Sequence, residues 1–385
     1  MQIVFLMMTI SLLTVYLIYL NNELWLVRYA KIMCFVLPVL YCFIDLPSEF
    51  DLYRHYEIFE SLNNYSFIDV ASNQTVWEAQ QKEGPLYIIG MWTISGILPK
   101  IFLPYIVGVI VYISGVYILS DCKKRYKISN FAYGVSIIVL FLLTDFVSVT
   151  GIRNIFCSTV FVWLLYRELI IKKNVILVYI GYIVLCTIHS ITLVYVLVRL
   201  MIFIYTPKRL GLFILGIVLI IYELPELVIN YGMQILQLPV LGNIIWLYYK
   251  YSNNFAGNSI LVGKQITYLM LYLYGVILVL KLDKKINENE NIKRILEFTL
   301  IFLIFTLGLY HLYDMFSRSS FLVIPLICLL EEVYLDSFID TEKITVFSGN
   351  VCSLLLYILG GVVFLMLALY RFIYQYLPLT DYFIL

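Results

Sequence analysis

Charge is scarce in this chain. Only 13% of its 385 residues are Asp, Glu, Lys or Arg, and the two signs nearly cancel to a net +1. That balance argues against a nucleic-acid partner, which would call for a strongly basic face. Long polar tracts are scarce too, so no inserted soluble domain is expected; the longest polar-to-mixed stretches are Asp45–Gly84 and Glu223–Lys264. The seven cysteines form no CxxC pair and mostly lie inside apolar runs, so they read as small apolar fillers rather than disulfides or metal ligands. There is no zinc, calcium or P-loop signature, no GxSxG elbow, no HExxH and no DxD-like pair. Metal-dependent and covalent serine chemistry therefore have no support in the sequence, and no cofactor is expected. No internal repeat or low-complexity tract is visible. The first apolar run, Ile3–Leu20, is preceded by no basic residue and is expected to be a retained helix rather than a cleaved signal peptide.

What the chain has in abundance is apolar surface: 62% of residues are hydrophobic and the mean hydropathy is +0.93. Lipid is the natural solvent for such a composition. Runs suited to helices are Ile3–Leu20, Leu26–Ile44, Ile101–Leu119, Phe131–Val149, Ile155–Ile171, Val175–Ile188, Ile191–Tyr205, Leu210–Tyr222, Ile266–Leu280, Ile295–Leu312, Ser320–Leu335 and Val351–Tyr370, with Pro85–Leu98 as a further short one. The expected fold is all-α, an integral membrane protein of about 12–13 transmembrane or re-entrant helices in one polytopic domain. Residues 45–84 and 223–264 would supply the outer loops that roof a site. Many of the 34 tyrosines and 25 phenylalanines are expected as interface anchors.

Orientation follows from lysine and arginine. The basic clusters are Lys123-Lys124-Arg125 with Lys127, Arg167 with Lys172-Lys173, Lys208-Arg209, and Lys281 through Arg294. Each falls two apolar runs after the one before, so all four fit the cytoplasmic side. The intervening turns, which carry Arg153, His189, Glu223–Lys264 and the segment from His311 to Arg318, then face outward. Val175–Tyr205 has basic residues beyond both ends, which demands a hairpin near His189 with arms shorter than a full crossing. Backbone turning at that depth is tolerated where it lines protein or a wet cavity. The acidic stretch Asp45–Gly84 is expected outside, with Pro85–Leu98 re-entrant or interfacial; if that segment crosses fully, the stretch moves inside.

A charge at bilayer depth costs roughly 2.5–3.5 kcal/mol on insertion scales, so Arg153 and Arg318 are expected to line a cavity or meet a partner. A guanidinium is always charged and its forked donors match phosphate oxygens, which makes both arginines candidate anion receptors. They can equally form structural ion pairs, with Asp145 and Asp314. His189 suits phosphate binding or acid–base work, or a helix-end hydrogen bond. His311 invites the same two readings, and an ordinary helix end accounts for it. In Glu49-Phe50-Asp51-Leu52-Tyr53-Arg54-His55-Tyr56, Asp51 and His55 stand i,i+4 and would share a helical face. That pairing suits a base with an orienting partner or sugar binding through Tyr53, Arg54, His55 and Tyr56; an amphipathic surface helix is the other reading. Glu83 opens the short apolar segment, as a helix-start carboxylate or a site group.

At these positions the chain resembles the EpsG/Wzy family of polysaccharide polymerases. Asp51-Leu52-Tyr53-Arg54-His55-Tyr56 resembles its D-Y-x-x-Y-type element, with Leu52 inserted. Glu83-Gly84-Pro85-Leu86-Tyr87 resembles its E-P-x-Y element with a glycine added, and Gly151-Ile152-Arg153-Asn154 its G-I-R-Q element with asparagine for glutamine. His189-Ser190-Ile191-Thr192 and Arg318-Ser319-Ser320-Phe321 resemble its later H-x-S-A and R-x-x-x-F elements. The resemblance implies a helical arrangement similar to the GT-C glycosyltransferases and a place in the bacterial inner membrane. It implies metal-free transfer of a glycan from a polyprenyl diphosphate to an incoming lipid-linked repeat unit, on the outer face. Arg153, Arg318 and His189 would grip the diphosphate, with Asp51 favoured over Glu83 as base and His189 as a further catalytic group. The lipid-linked oligosaccharide, the bilayer and a chain-length regulator are the partners implied. A flippase of lipid-linked oligosaccharides, a glycan ligase and a membrane O-acyltransferase are the competing readings.

Overall fold

Helix ends in this chain are written in its capping residues. The computed structural model describes residues 12–43, 51–72, 84–144, 151–189, 191–204, 259–285, 290–308, 313–339 and 360–362. Among these residues there is no strand. Helix α1 covers residues 12–19. Asn22 then caps α2 (Glu23–Val36), its side chain accepting the Trp25 N–H at 3.2 Å, and Leu37–Phe43 continues α2 as a 3-10 helix. Next come α3 (Asp51–Leu62), α4 (Phe67–Ser72) and α5 (Pro85–Ser95), the last begun by proline, whose missing N–H is harmless in a first turn. Helix α6 (Phe102–Tyr126) ends at Lys127 in the left-handed region, φ 54°, with Lys123, Lys124 and Arg125 against its negative dipole end. Ser129 caps α7 (Asn130–Leu143). Helix α8 (Ile152–Tyr166) runs into a π turn, Arg167–Ile171, and α9 (Val175–Ile188) follows the turn through Lys172 and Lys173. The remaining helices are α10 (Ile191–Ile204), α11 (Ser259–Lys285), α12 (Glu290–Gly308) and α13 (Tyr313–Ile339).

Three described stretches, Glu23–Cys42, Phe102–Tyr126 and Ile152–Ile171, are helical, long and apolar enough to cross a bilayer. Shorter apolar helices accompany them, among them Val175–Ile188 and Asn130–Leu142. The expected runs Leu210–Tyr222 and most of Val351–Tyr370 lie outside the described residues, as do Glu83, Asp145, His311 and the loop up to Asn258.

The chain divides into two units. The first comprises Met1–Val196, Ile324–Val346 and Ala368–Leu385; the second comprises Leu197–Val323 and Phe347–Leu367. In the first unit, α6 and α8 pack side by side, with α7 and α9 attached to them through the two basic turns. Each basic turn joins a helix pair, so the start of α8 and the end of α9 lie at the opposite end from those turns. The turn between α8 and α9 is pinned by Glu168, whose buried carboxylate accepts from Tyr179 at 3.0 Å and Tyr182 at 2.9 Å. Near the other basic turn, Lys123 donates to the Ile128 carbonyl at 2.9 Å and meets Glu23 at 3.6 Å. Fully buried Glu332 lies beside Cys122 and Lys123, and Asp336 accepts the Ser129 N–H at 2.6 Å. In the second unit, α11 packs on α12, and the Tyr272 hydroxyl donates to the Phe316 carbonyl at 2.6 Å.

Candidate functional site

Sequence elements more than a hundred residues apart meet in the first unit, at the end remote from its basic turns. The first is α3. Asp51 lies in its first turn, where the helix dipole favours a carboxylate. Its Oδ1 is 2.8 Å from Arg54 Nη2, and its Oδ2 is 3.3 Å from His55 Nε2, the shared face that i,i+4 spacing demands. His55 is fully buried, whereas the Asp51 and Arg54 side chains are nearly half exposed. Tyr56 is buried beside them, with Lys100 Nζ 5.6 Å from its ring centre, and Tyr53 is exposed.

The second element is α5. Its Tyr87 hydroxyl lies 2.9 Å from His55 Nδ1. Which atom of that pair donates depends on the tautomer and charge of the imidazole; with Nε2 facing Asp51 on its other side, His55 links Asp51 to Tyr87 in one polar chain. The third element is the start of α8, where the Arg153 guanidinium sits 5.3 Å from the centre of the Tyr87 ring. That is within cation–π range and fixes the arginine against a face rather than letting it sweep solvent. Asn154, the next residue, is buried.

Electrostatics tie α3 to α8. Burial of the Asp51 carboxyl acts to raise its pKa. The His55 hydrogen bond and charge, then the charges of Arg54 and Arg153, outweigh burial and hold it at about 2. Asp51 is therefore ionised throughout the neutral range.

The end of α9 closes the arrangement. Gly84 has φ +85°, and a Cβ there would overlap the Thr187 carbonyl oxygen and lie 3.0 Å from that of Ile188. Glycine is required on both counts, so the residue that interrupts the E-P-x-Y-like element is what lets α5 start against α9. The adjoining His189 is partly buried, and its Nδ1 accepts the Ile191 N–H at 3.1 Å at the start of α10. A ring that accepts at Nδ1 is neutral with its proton on Nε2. It can donate one hydrogen bond to an anion, and protonation would remove the bond to Ile191.

Beside Arg153 lies a cavity of about 150 Å³ between α5, α6 and α8. Its walls include Gly90, Ile94, Val107, Ile110 and Phe156, and Arg153 is the one charged residue lining it.

The structure thus brings Asp51, Arg54, His55 and Arg153 together, with Tyr87 as the link that the sequence reading quoted without giving it a role. Its signal is a tyrosine two positions after a helix-initiating proline. Arg318 belongs to the second unit, partly buried on α13 between buried Phe316 and Ser319. That unit also buries Arg199 in α10 at 4% exposure, a residue overlooked inside its apolar run. A lone guanidinium in a 14-residue apolar helix is the signal that would have found it.

Comparison with protein-family models, with curated proteins and with solved structures gives no match.

Proposed function

We propose that this protein is a metal-independent glycosyltransferase of the bacterial inner membrane that polymerises polyprenyl-diphosphate-linked oligosaccharide repeat units at its outer face. The chain then crosses the membrane many times, with about 12–13 transmembrane or re-entrant helices in a GT-C-like arrangement. The observation that carries this reading is the meeting of the Asp51–His55–Tyr87 chain with Arg153, beside an apolar cavity. An ionised carboxylate on α3 lies within electrostatic reach of a guanidinium on α8, and an apolar cavity adjoins the arginine. The EpsG/Wzy-like motifs that the sequence spreads along the chain contribute three of the converging elements.

The reaction proceeds as follows. The acceptor hydroxyl oxygen bonds to the anomeric carbon of the growing glycan while the bond from that carbon to the diphosphate oxygen breaks. The electron pair leaves on the diphosphate, and the acceptor proton passes to Asp51. The transition state is loose and oxocarbenium-like, so the hydroxyl sheds its proton after bond breaking is well advanced. Arg153 stabilises the charge that grows on the diphosphate, and Nε2–H of His189 is the further donor assigned to it. Exposed Tyr53 and Arg54 are the side chains assigned to the glycan, and Glu83 is the second carboxylate assigned to the site.

Deleting the gene and resolving the surface polysaccharide by size tests this. A polymerase leaves single repeat units on the carrier; a flippase leaves none, which would overturn the reading. Unchanged long polymer would overturn it as well.

A further inference from the structure

The basic end of the first unit carries cations that no described carboxylate balances. Helices α6 and α8, with the π turn that ends α8, hold one acid each, and both acids are engaged. Asp121 accepts from the Arg125 guanidinium, and from the Tyr166 hydroxyl at 2.8 Å. Glu168 accepts from Tyr179 and Tyr182. Glu23, Glu332 and Asp336, from α2 and α13, sit toward Lys123, Cys122 and Ser129. Among the described residues, Lys124, Lys127, Lys172 and Lys173 form no ion pair, and Arg167 meets an aromatic ring in place of a carboxylate.

That ring belongs to Trp163, one turn earlier on the same face of α8. Its centre is 5.0 Å from the Arg167 guanidinium carbon, and Tyr117 of α6 meets it edge-on with centroids 6.5 Å apart. The Arg167 Nε is buried and has no hydrogen-bond partner. On α6, exposed Ile113, Tyr117 and Lys124 share one face, since four and seven residues are close to whole turns. The seam between α6 and α8 therefore has an apolar and aromatic length and two cations at its basic end.

Both helices are long and apolar enough to cross a bilayer, so the exposed side of this seam meets lipid. About 20 residues suffice for the hydrocarbon, which leaves Lys124, in the last turn of the 25-residue α6, at headgroup level. Arg167 lies about one turn inside the end of the other span, a distance its side chain covers by reaching toward the headgroups. Tryptophan and tyrosine favour that same depth. We propose that this seam binds an anionic phospholipid in the leaflet at the basic end, with its phosphate held between Arg167 and Lys124 and an acyl chain lying along Tyr117 and Ile113. The inference rests on α6 and α8 crossing a bilayer and not on the polymerase reading, so either can fail while the other stands.

The test is lipid retention by full-length protein purified in detergent, read by native mass spectrometry and by thermal unfolding. The probes are phosphatidylglycerol, phosphatidylcholine with the same acyl chains, and inorganic phosphate. Wild type should retain phosphatidylglycerol in preference to phosphatidylcholine and unfold at higher temperature with it, while inorganic phosphate at the same concentration gives no shift. Arg167→Gln should weaken phosphatidylglycerol binding by roughly fivefold, the factor for one basic side chain at an anionic surface, and leave phosphatidylcholine unchanged. Lys124→Gln, exposed and outside any ion pair, should show a loss in the same direction and keeps the test open if the arginine variant folds poorly. Equal retention of the two lipids, a phosphatidylglycerol preference undiminished in both variants, or a shift reproduced by inorganic phosphate would overturn the inference.

Discussion

The Arg153 guanidinium rests 5.3 Å from the centre of the Tyr87 ring, while the hydroxyl of that tyrosine reaches 2.9 Å from His55 Nδ1. One aromatic side chain therefore couples the start of α8 to α3. The two contacts use different parts of Tyr87, which makes them separable by substitution.

Tyr87→Phe keeps the ring beneath Arg153 and deletes the bond to His55. A buried hydrogen bond of this kind contributes about 0.5–1.5 kcal/mol net. The variant should unfold at slightly lower temperature and keep measurable polymer formation. Tyr87→Leu removes both contacts and should lose a further ~0.5–2 kcal/mol together with most activity. Thermal unfolding and polymer sizing on the same membranes check the ordering; equal losses in the two variants would dissociate Arg153 from the ring.

Asp51 gives a pH signature. Its folded pKa, about 2, lies below the ordinary carboxylate value of roughly 3.9. The stability it contributes is fully present above the ordinary value and is lost as pH falls through the range between the two. Asp51→Asn should flatten the stability profile between about pH 4 and pH 2 while leaving the profile near neutrality parallel to wild type. Thermal unfolding across that acid range in detergent reads the difference.

Gly84→Ala is expected to be strongly destabilising for a surface-loop change. The left-handed backbone and the overlap with the Thr187 carbonyl act together, and strain of this sort costs on the order of 1–3 kcal/mol. Folded yield in membranes should fall, with the surviving fraction unfolding at lower temperature.

His189 separates a structural from a chemical role. Asparagine can accept the Ile191 N–H through a local turn, so His189→Asn should retain folding better than His189→Ala. If the imidazole also donates to the diphosphate, both variants lose activity, while only alanine loses stability. Yield and activity measured together distinguish the cases.

The far end of the first unit offers a prediction unrelated to chemistry. Lys123→Met removes the hydrogen bond to the Ile128 carbonyl that closes the turn after α6, a loss of about 0.5–1.5 kcal/mol. Thermal unfolding of the variant beside wild type reads the loss.

Much of this arrangement was legible in the sequence because it rests on local rules. The span Val175–Ile188 was read to the residue, since basic residues bound the apolar stretch and a histidine breaks it. The i,i+4 pairing of Asp51 with His55 followed from helical periodicity alone. Leu26–Ile44 began later than the helix, because Asn22 and Glu23 are polar and the start is set by a cap rather than by hydropathy. Tyr87 was less visible: its importance comes from two contacts, with residues 32 positions before it and 66 after it, and no local pattern encodes a partner at that separation. Glu332 and Arg199 are less visible for a related reason, since charges in apolar helices reveal their burial only after packing.

The most direct measurement supplies purified protein in nanodiscs with a synthetic polyprenyl-diphosphate-linked repeat unit, in the presence of a metal chelator. The account predicts a ladder of lengthening lipid-linked glycan with wild type and single units alone with Arg153→Gln. A ladder of undiminished length from Arg153→Gln, or none from wild type until metal is restored, would contradict it.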